Sequence, residues 1–179
     1  MEMEFNTAKI EEIKGIEFEK LREREAIMGN EKGEMILIGE RFNVMGSDYF
    51  MADFLKILQK LAGPASGGIL YNSGVELGKL YYGKFNEGTN DEILGKTLGF
   101  LKFCGYSDIR FSEDGTMVVE NSPTAVAFKI KYTDRIKTCY YLAGILCGIL
   151  SSVLDKRISI IETKCIAKGD ICCEFKVKD

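Results

Sequence analysis

The chain has 179 residues, of which 46% are hydrophobic and 28% are charged, and its formal net charge is −3 at pH 7. This length and composition are typical of a single compact domain with its own core. Because basic residues are interspersed with acidic ones and form no positive block, we expect no direct binding to nucleic acid.

The N-terminal sequence MEMEFNTAKIEEIKGIEF lacks the basic start and apolar stretch of a signal peptide, which predicts a cytoplasmic protein. The longest uncharged run, 138–154, is shorter than the roughly 20 apolar residues that a spanning helix needs, so no membrane span is expected. In a reducing cytosol the six cysteines are expected to be thiols or metal ligands rather than disulfides.

The first half of the chain predicts helices around one short strand. We expect a surface helix over 13–27 and a β-prone segment over Met35–Phe42. Residues 48–61 carry apolar side chains at three- and four-residue spacing, which predicts an amphipathic helix. Its predicted buried face consists of Met51, Phe54, Leu55, Leu58 and Leu61. After the breaker GPASGG, similar spacing predicts a slim, glycine-rich helix around 70–81 and a further helix around 93–101.

The hydrophobic period changes in the second half of the chain. DIRFSEDGTMVVEN predicts a hairpin around Asp114 and Gly115, a dipeptide favoured in two-residue type I′ turns. SPTAVAFKIKYTDR is open between helix and extended structure, whereas 138–154 predicts a helix. RISIIETKC and CCEFKVK predict a second hairpin. This pattern indicates an α+β domain in which an antiparallel sheet packs with helices.

The residue inventory argues against common forms of catalysis. The chain contains no histidine, so a Ser-His or Cys-His nucleophile pair cannot form. We therefore expect a non-catalytic protein.

The cysteines near the C-terminus indicate a metal site. Cys165 lies on one arm of the second hairpin, and the adjacent Cys172 and Cys173 lie on the other. Adjacent strand residues point to opposite faces, so the hairpin register decides which of the two joins Cys165. Glu162 precedes Cys165 by three positions and needs a β-bulge to reach the same site. Cys139 opens the long helix, where the positive helix end favours a thiolate.

Cys104 and Cys147 lie inside apolar helical segments. For these two cysteines we expect a role as small buried hydrophobes.

The segment CYYLAGILCGILSSVLDKRISIIETKCIAKGDICCEF resembles the vinyl-4-reductase domain family, in particular its short stand-alone archaeal members. GGILYNSGVELGK and ENSPTA match two further motifs of that family, in the same order. The resemblance spans roughly residues 34 to 177. It implies a helical extension over 1–33 followed by a ligand-binding domain over 34–179.

The resemblance also implies a set of metal ligands. In the related sensor domains of phenol- and xylene-responsive transcription activators, matching positions bind zinc through three cysteines and a glutamate. Carried over by motif, the ligands of a structural zinc ion are Cys139, Glu162, Cys165 and Cys173. The Cys-x-Phe context of the family selects Cys173, and Cys172 remains the competing candidate.

The family fold is similar to haem nitric-oxide-binding domains and to acyl-binding vesicle-transport subunits, which implies an apolar pocket and a homodimer. This chain lacks both tryptophan and histidine. The phenol sensors use such residues to grip a phenolic hydroxyl, so phenol recognition of that type is not expected. The absence of histidine also excludes the usual haem ligand.

The leading hypothesis is a zinc-stabilised domain that binds a hydrophobic small molecule of aromatic, hydrocarbon or acyl type. Apolar character near the glycine-rich helices suggests the pocket residues Leu70, Tyr71, Gly74, Phe100, Phe128, Tyr140, Tyr141 and Gly144. One alternative is reduction of a tetrapyrrole vinyl group, although no dinucleotide-binding fingerprint is present. Another is a dimeric acyl-binding scaffold module.

Overall fold

The structure is a computed structural model that describes residues 5–23, 27–29, 35–37, 40–42, 46 and 50–178. The helices in this part of the chain are α1 (Thr7–Glu23), α2 (Met51–Ala62), α3 (Ala65–Lys84), α4 (Asn90–Phe103), α5 (Pro123–Lys131) and α6 (Tyr140–Val153). The strands are β1 (Ile27–Gly29), β2 (Met35–Leu37), β3 (Glu40–Phe42), β4 (Ile109–Phe111), β5 (Met117–Val119), β6 (Ile160–Lys164) and β7 (Cys173–Val177). None of these helices has the length and apolar character that a bilayer span requires.

The strands form two antiparallel sheets. One has the order β1-β2-β3, and the other has the order β4-β5-β7-β6. In the larger sheet, β7 lies between β5 and β6, so the C-terminal strand is central and β6 is an edge strand. Six helices together with this sheet confirm the predicted α+β fold.

The core is built on the crossing of α3 and α6, which approach each other through their backbones. A Cβ atom added at Gly144 would lie 2.0 Å from the carbonyl oxygen of Tyr71, and one added at Gly148 would lie 2.2 Å from that of Val75. Gly74 is packed equally closely against the carbonyl oxygen of Tyr141. The glycine-rich segments therefore serve close helix packing, and only glycine fits at these positions.

Helix α1 packs on α4 around a buried lysine. The Lys14 ammonium donates to the carbonyl oxygen of Ile109 at 3.0 Å and pairs with Asp108 at 2.8 Å and with Glu11 at 2.6 Å. Ile10 is fully buried nearby. The predicted boundary between an extension over 1–33 and a domain over 34–179 stays a prediction.

Two helix predictions are corrected by local interactions. Helix α1 begins at Thr7 rather than at residue 13, because the Asn6 side chain accepts a hydrogen bond from the Lys9 amide and caps the helix. In α2, Phe54 and Leu61 were predicted to be buried but are 42% and 80% exposed. The buried face of α2 is narrower than its apolar stripe and centres on Ala52 and Leu55.

Breaks and turns also differ from the predicted ones. The predicted β segment over Met35–Phe42 is divided into β2 and β3. Only Gly63 and Pro64 separate α2 from α3, since Gly63 adopts φ +54° and Pro64 is compatible with the first helical turn. SPTAVAFKIK forms α5, with Ser122 as the N-cap residue.

The hairpin around Asp114 is confirmed, but its two-residue turn is not. Residues 112–116 connect β4 and β5, and in this turn only Gly115 has positive φ, at +75°. The Asp114 carboxylate instead accepts hydrogen bonds from the Ser112 hydroxyl and the Thr116 amide. These bonds stabilise a longer turn than the type I′ geometry.

Candidate metal centre and adjoining groove

Four buried side chains converge between α6 and the hairpin formed by β6 and β7. The three Sγ atoms of Cys139, Cys165 and Cys173 and a carboxylate oxygen of Glu162 all lie within 4.8 Å of one another. The sulfurs of Cys139 and Cys173 are 3.6 Å apart. The structure thus brings together the four residues that the sequence predicts as metal ligands.

The start of α6 positions Cys139. This residue is the N-cap of the helix, and its carbonyl oxygen accepts the first helical hydrogen bond from the Ala143 amide. Its own amide donates to Glu162 Oε2 at 3.2 Å. The helix start and the carboxylate are therefore held together before any cation is considered.

A break in the β6–β7 register turns Glu162 toward the cysteines. Glu162 pairs with Phe175, and Lys164 pairs with Glu174, so the register shifts between these two pairs. This irregularity is the one that the sequence required for Glu162 to reach the site. The buried Glu162 side chain points inward, while the following strand residues continue toward Cys165.

The connection between β6 and β7 is longer than a tight two-residue turn. Residues Ile166–Lys168 form a 3-10 turn, and Gly169 follows with φ +117°. The Asp170 carboxylate accepts a hydrogen bond from the Cys165 amide at 2.8 Å. This loop brings Cys173 across from Cys165.

Cys172 points away from the cluster, as adjacent strand residues must. Its sulfur lies 3.8 Å from Glu174 Oε1. Cys147 donates to the Ile158 carbonyl oxygen and is buried in the core, as expected, whereas Cys104 at the end of α4 is only partly buried.

Three polar groups surround the cysteine sulfurs. The Ser122 hydroxyl lies 3.3 Å from Cys139 Sγ, and the Thr138 hydroxyl lies 3.5 Å from Cys165 Sγ. The Ile166 amide donates to Cys173 Sγ at 3.4 Å. Such partners orient metal ligands and tune their basicity. The position of Thr138 next to Cys139 was a usable sequence signal, whereas the approach of Ser122 depends on the tertiary fold.

Proximity and burial separate the pKa values of the four groups. Hydrogen bonds from the Cys139 and Cys173 thiols hold the pKa of Cys165 well below its usual range. The hydrogen bond with Cys165, together with burial, raises the pKa of Cys139. For Cys173, the hydrogen bond with Cys139 lowers the pKa, but the bond with Cys165 and burial outweigh it. Burial and the charge on Cys165 raise the pKa of Glu162 to about 8.

The thiolate of the cluster is therefore on Cys165 and not on Cys139, where the helix N-terminus predicted it. Two thiols donate to Cys165, and this local effect exceeds that of the helix end.

The donor set fits a thiophilic cation. Glu162 Oε1 is buried and, within the described residues, has no hydrogen-bond partner. A bound cation would satisfy this oxygen, which is otherwise costly to bury. Three sulfurs and one carboxylate oxygen suit a closed tetrahedral zinc site, which has no open position for water or substrate.

An open groove of roughly 770 Å³ adjoins the cluster. Its walls are the start of α3, the segment leading into α6, and the edge strand β6. It is lined by Gln59, Gly63, Pro64, Ser66, Gly67, Gly68, Tyr71, Asn72, Asp134, Ile136, Lys137, Tyr140, Ala143, Ser159, Ile160, Ile161, Glu162 and Lys178. Glu162 belongs to both the groove and the cysteine cluster.

Two of the predicted pocket residues, Tyr71 and Tyr140, line this groove. The other six belong to the core or pack against it: Leu70, Gly74, Phe100, Phe128, Tyr141 and Gly144. A ligand-binding role for these six stays a prediction. Sequence reasoning missed Lys137 and Lys178, because nothing in their local sequence distinguishes them from other surface lysines.

Residues 117–179 match the family model of the vinyl-4-reductase domain. This segment contains every residue of the cysteine and glutamate cluster. The resemblance to the vinyl-4-reductase domain family is thereby confirmed for the C-terminal part of the chain.

The chain is similar to curated archaeal proteins. It is 27% identical over 119 residues to "Uncharacterized protein MJ0150" of Methanocaldococcus jannaschii, across 65% of this chain and 67% of the relative. It is 27% identical over 135 residues to "Uncharacterized protein MJ1460" of the same organism, across 73% of this chain and 78% of the relative.

Two solved structures share the fold. The phenol-responsive sensory domain of the transcription activator PoxR, solved with phenol, aligns with a TM-score of 0.72 at 15% identity, over 92% of this chain and 89% of that domain. A vinyl-4-reductase family protein from Methanocaldococcus jannaschii aligns with a TM-score of 0.56 at 21% identity, over 99% of this chain and 98% of that protein. At these identities the likeness concerns the fold.

Proposed function

Since residues 117–179 match the vinyl-4-reductase domain, we propose that this protein is a zinc-stabilised, non-catalytic domain that binds a hydrophobic small molecule and acts as a sensor. The observation that carries the proposal is the shared position of Glu162, which lies in the buried ligand cluster and also lines the groove. The similarity of the fold to a phenol-responsive sensory domain supports a sensor role.

The proposed zinc ion is structural. When bound, it would supply a cross-link between Cys139 at the start of α6 and the hairpin that carries Cys165 and Cys173. Glu162 would complete the site, and its amide partner at Cys139 would keep the carboxylate oriented. Four protein ligands leave no position for a reacting group, which supports a non-catalytic role.

The groove is the proposed ligand site. Its volume is in the range of small-molecule pockets, and the rings of Tyr71 and Tyr140 provide apolar wall area. The outward hydrogen-bonding groups of β6 are already occupied, because the Ile160 amide donates to the Tyr71 hydroxyl and the Glu162 carbonyl oxygen accepts from Lys137. An added peptide strand would need these groups, so a small molecule fits the groove better.

The resemblance supports two further parts of the proposal, a cytoplasmic location and a homodimer. Sedimentation equilibrium of the full chain tests the homodimer directly. A monomer at all concentrations would contradict it. Turnover of a tetrapyrrole vinyl group with a nicotinamide reductant would contradict the non-catalytic role.

A matched pair of glycine variants tests the groove. Gly68 lines the groove, Gly83 lies further along the same helix, and a Cβ atom at either position meets no atom within 4 Å. Neither Gly68→Leu nor Gly83→Leu should therefore disturb the fold. The probe is phenylnaphthylamine, a neutral aromatic dye whose fluorescence rises on binding.

We expect Gly68→Leu to weaken probe binding by roughly tenfold, since its side chain fills groove volume. Gly83→Leu should bind like the unmodified protein. Equal affinity in all three proteins, or no saturable binding, would contradict the groove as the ligand site.

A further inference from the structure

We propose that the groove takes an amphiphilic organic anion, whose aromatic or aliphatic body lies along Tyr71 and Tyr140 and whose anionic group is held by Lys137 and Lys178. This inference rests on the proposed function and names the ligand class of that same site. A carboxylate, a sulfonate or a phosphate group shares the required chemistry.

The charges lining the groove are not balanced in space. Of its two acids, Asp134 pairs with Lys56 at 2.5 Å, and Lys56 lies outside the groove lining. Glu162 belongs to the cysteine cluster and accepts from the Cys139 amide. Both acids therefore have partners directed away from a groove ligand.

The two lysines lack acidic partners among the described residues. The Lys137 ammonium donates to a neutral group, the carbonyl oxygen of Glu162, at 2.5 Å. Lys178 is exposed, and its backbone amide is bonded to the Ser159 carbonyl oxygen at 2.8 Å. The groove therefore presents two positive charges that the surrounding side chains leave uncompensated, and such a site attracts an anion.

The two lysines lie at opposite ends of one stretch of β6. Lys137 is anchored at Glu162 and Lys178 at Ser159, which are three strand residues and roughly 10 Å apart. Lysine side chains are long enough for both ammonium groups to approach one anion over this stretch. Their apolar stems can at the same time cover the body of the ligand.

Apolar surface lies directly beside these charges. The Tyr140 ring packs on Gly67, where an added Cβ atom would lie 3.0 Å from the ring, so the ring is held in place by the backbone of α3. Ile136 and Ala143 line the same wall. Apolar surface next to uncompensated ammonium groups matches a ligand that has an apolar body and an anionic end.

Two dyes that differ by one anionic group test this proposal on the zinc-loaded full chain. Anilinonaphthalene sulfonate carries a permanent negative charge, and phenylnaphthylamine is its neutral counterpart. We expect the anionic dye to bind more tightly, with an affinity that falls as salt is added, whereas the affinity of the neutral dye should not depend on salt.

Lysine variants identify the source of that preference. Lys178→Met should weaken binding of the anionic dye by roughly threefold to tenfold and leave the neutral dye unchanged. Lys137→Met should do the same, and Lys178→Met guards against any disturbance of β6 by the loss of the Lys137 hydrogen bond. Lys168→Met removes one exposed charge outside the groove lining and should change neither dye.

Equal affinity for the two dyes, or an anionic preference that survives both lysine substitutions, would overturn the inference. The proposed function fails separately, through Gly68→Leu. If that variant weakens the neutral dye while the lysine variants leave the anionic dye unaffected, the groove binds ligands but not by the proposed charge recognition.

Discussion

The Sγ atoms of Cys139 and Cys173 lie 3.6 Å apart, although 34 positions separate the two residues in the chain. One begins α6, and the other begins the central C-terminal strand of the larger sheet. A cation bound here would join the most buried helix to the sheet. The account of this protein depends on that junction and on the groove beside it.

Metal affinity should rise with pH. Without a cation, Cys139, Cys173 and Glu162 have raised pKa values and hold their protons near neutral pH, with the pKa of Glu162 at about 8. Binding a cation must release these protons, so each unit of lower pH weakens binding. Competition with a chromophoric chelator between about pH 6 and about pH 8 measures the slope. A pH-independent affinity would contradict this proton release.

Ser122→Ala should weaken metal binding by roughly tenfold without unfolding the protein, because it removes the hydroxyl 3.3 Å from Cys139 Sγ. Ser152→Ala is the control, since its hydroxyl bonds only to the Gly148 carbonyl oxygen within α6. Both affinities are measured by the same chelator competition. Equal affinities would show that Ser122 does not support the site.

Gly144→Ala should destabilise the fold by about 1–3 kcal/mol, because the new methyl group would overlap the carbonyl oxygen of Tyr71 at the α3–α6 crossing. Gly83→Ala, at an open helical position, should be neutral or stabilising by up to about 1 kcal/mol. Urea denaturation gives both free energies of unfolding. A Gly144→Ala protein as stable as Gly83→Ala would contradict the close packing.

Lys14→Met should cost about 3 kcal/mol of stability, since it leaves the partly buried Asp108 without its 2.8 Å partner. Lys20→Met removes an exposed lysine from the same helix and should change stability by less than about 0.5 kcal/mol. Thermal and urea unfolding of both variants provide the comparison. Similar stabilities would mean that the ion pair does not help to fix α1 on α4.

The parts of the fold that could be predicted from sequence depend on local patterns. Apolar periodicity located α3, α4 and α6, and motif spacing identified the four residues of the cluster. The need for a bulge near Glu162 followed from strand alternation alone, and the register shift after Glu162 agrees with it.

The parts that failed depend on tertiary contacts. The apolar stripe of α2 is wider than the surface its neighbours cover, so Phe54 and Leu61 remain exposed. The low pKa of Cys165 arises from two thiols that are distant in sequence, and no helix rule could assign it. The groove lysines are brought together by β6, which a single sequence cannot show.

The most direct test of the central claim is the zinc content of the untagged protein by plasma mass spectrometry, for the unmodified chain and for Cys173→Ser and Cys172→Ser. The account predicts about one zinc ion per chain in the unmodified protein and in Cys172→Ser, and loss of most of it in Cys173→Ser. A folded, zinc-free protein, or equal loss in the two variants, would contradict the proposed metal centre.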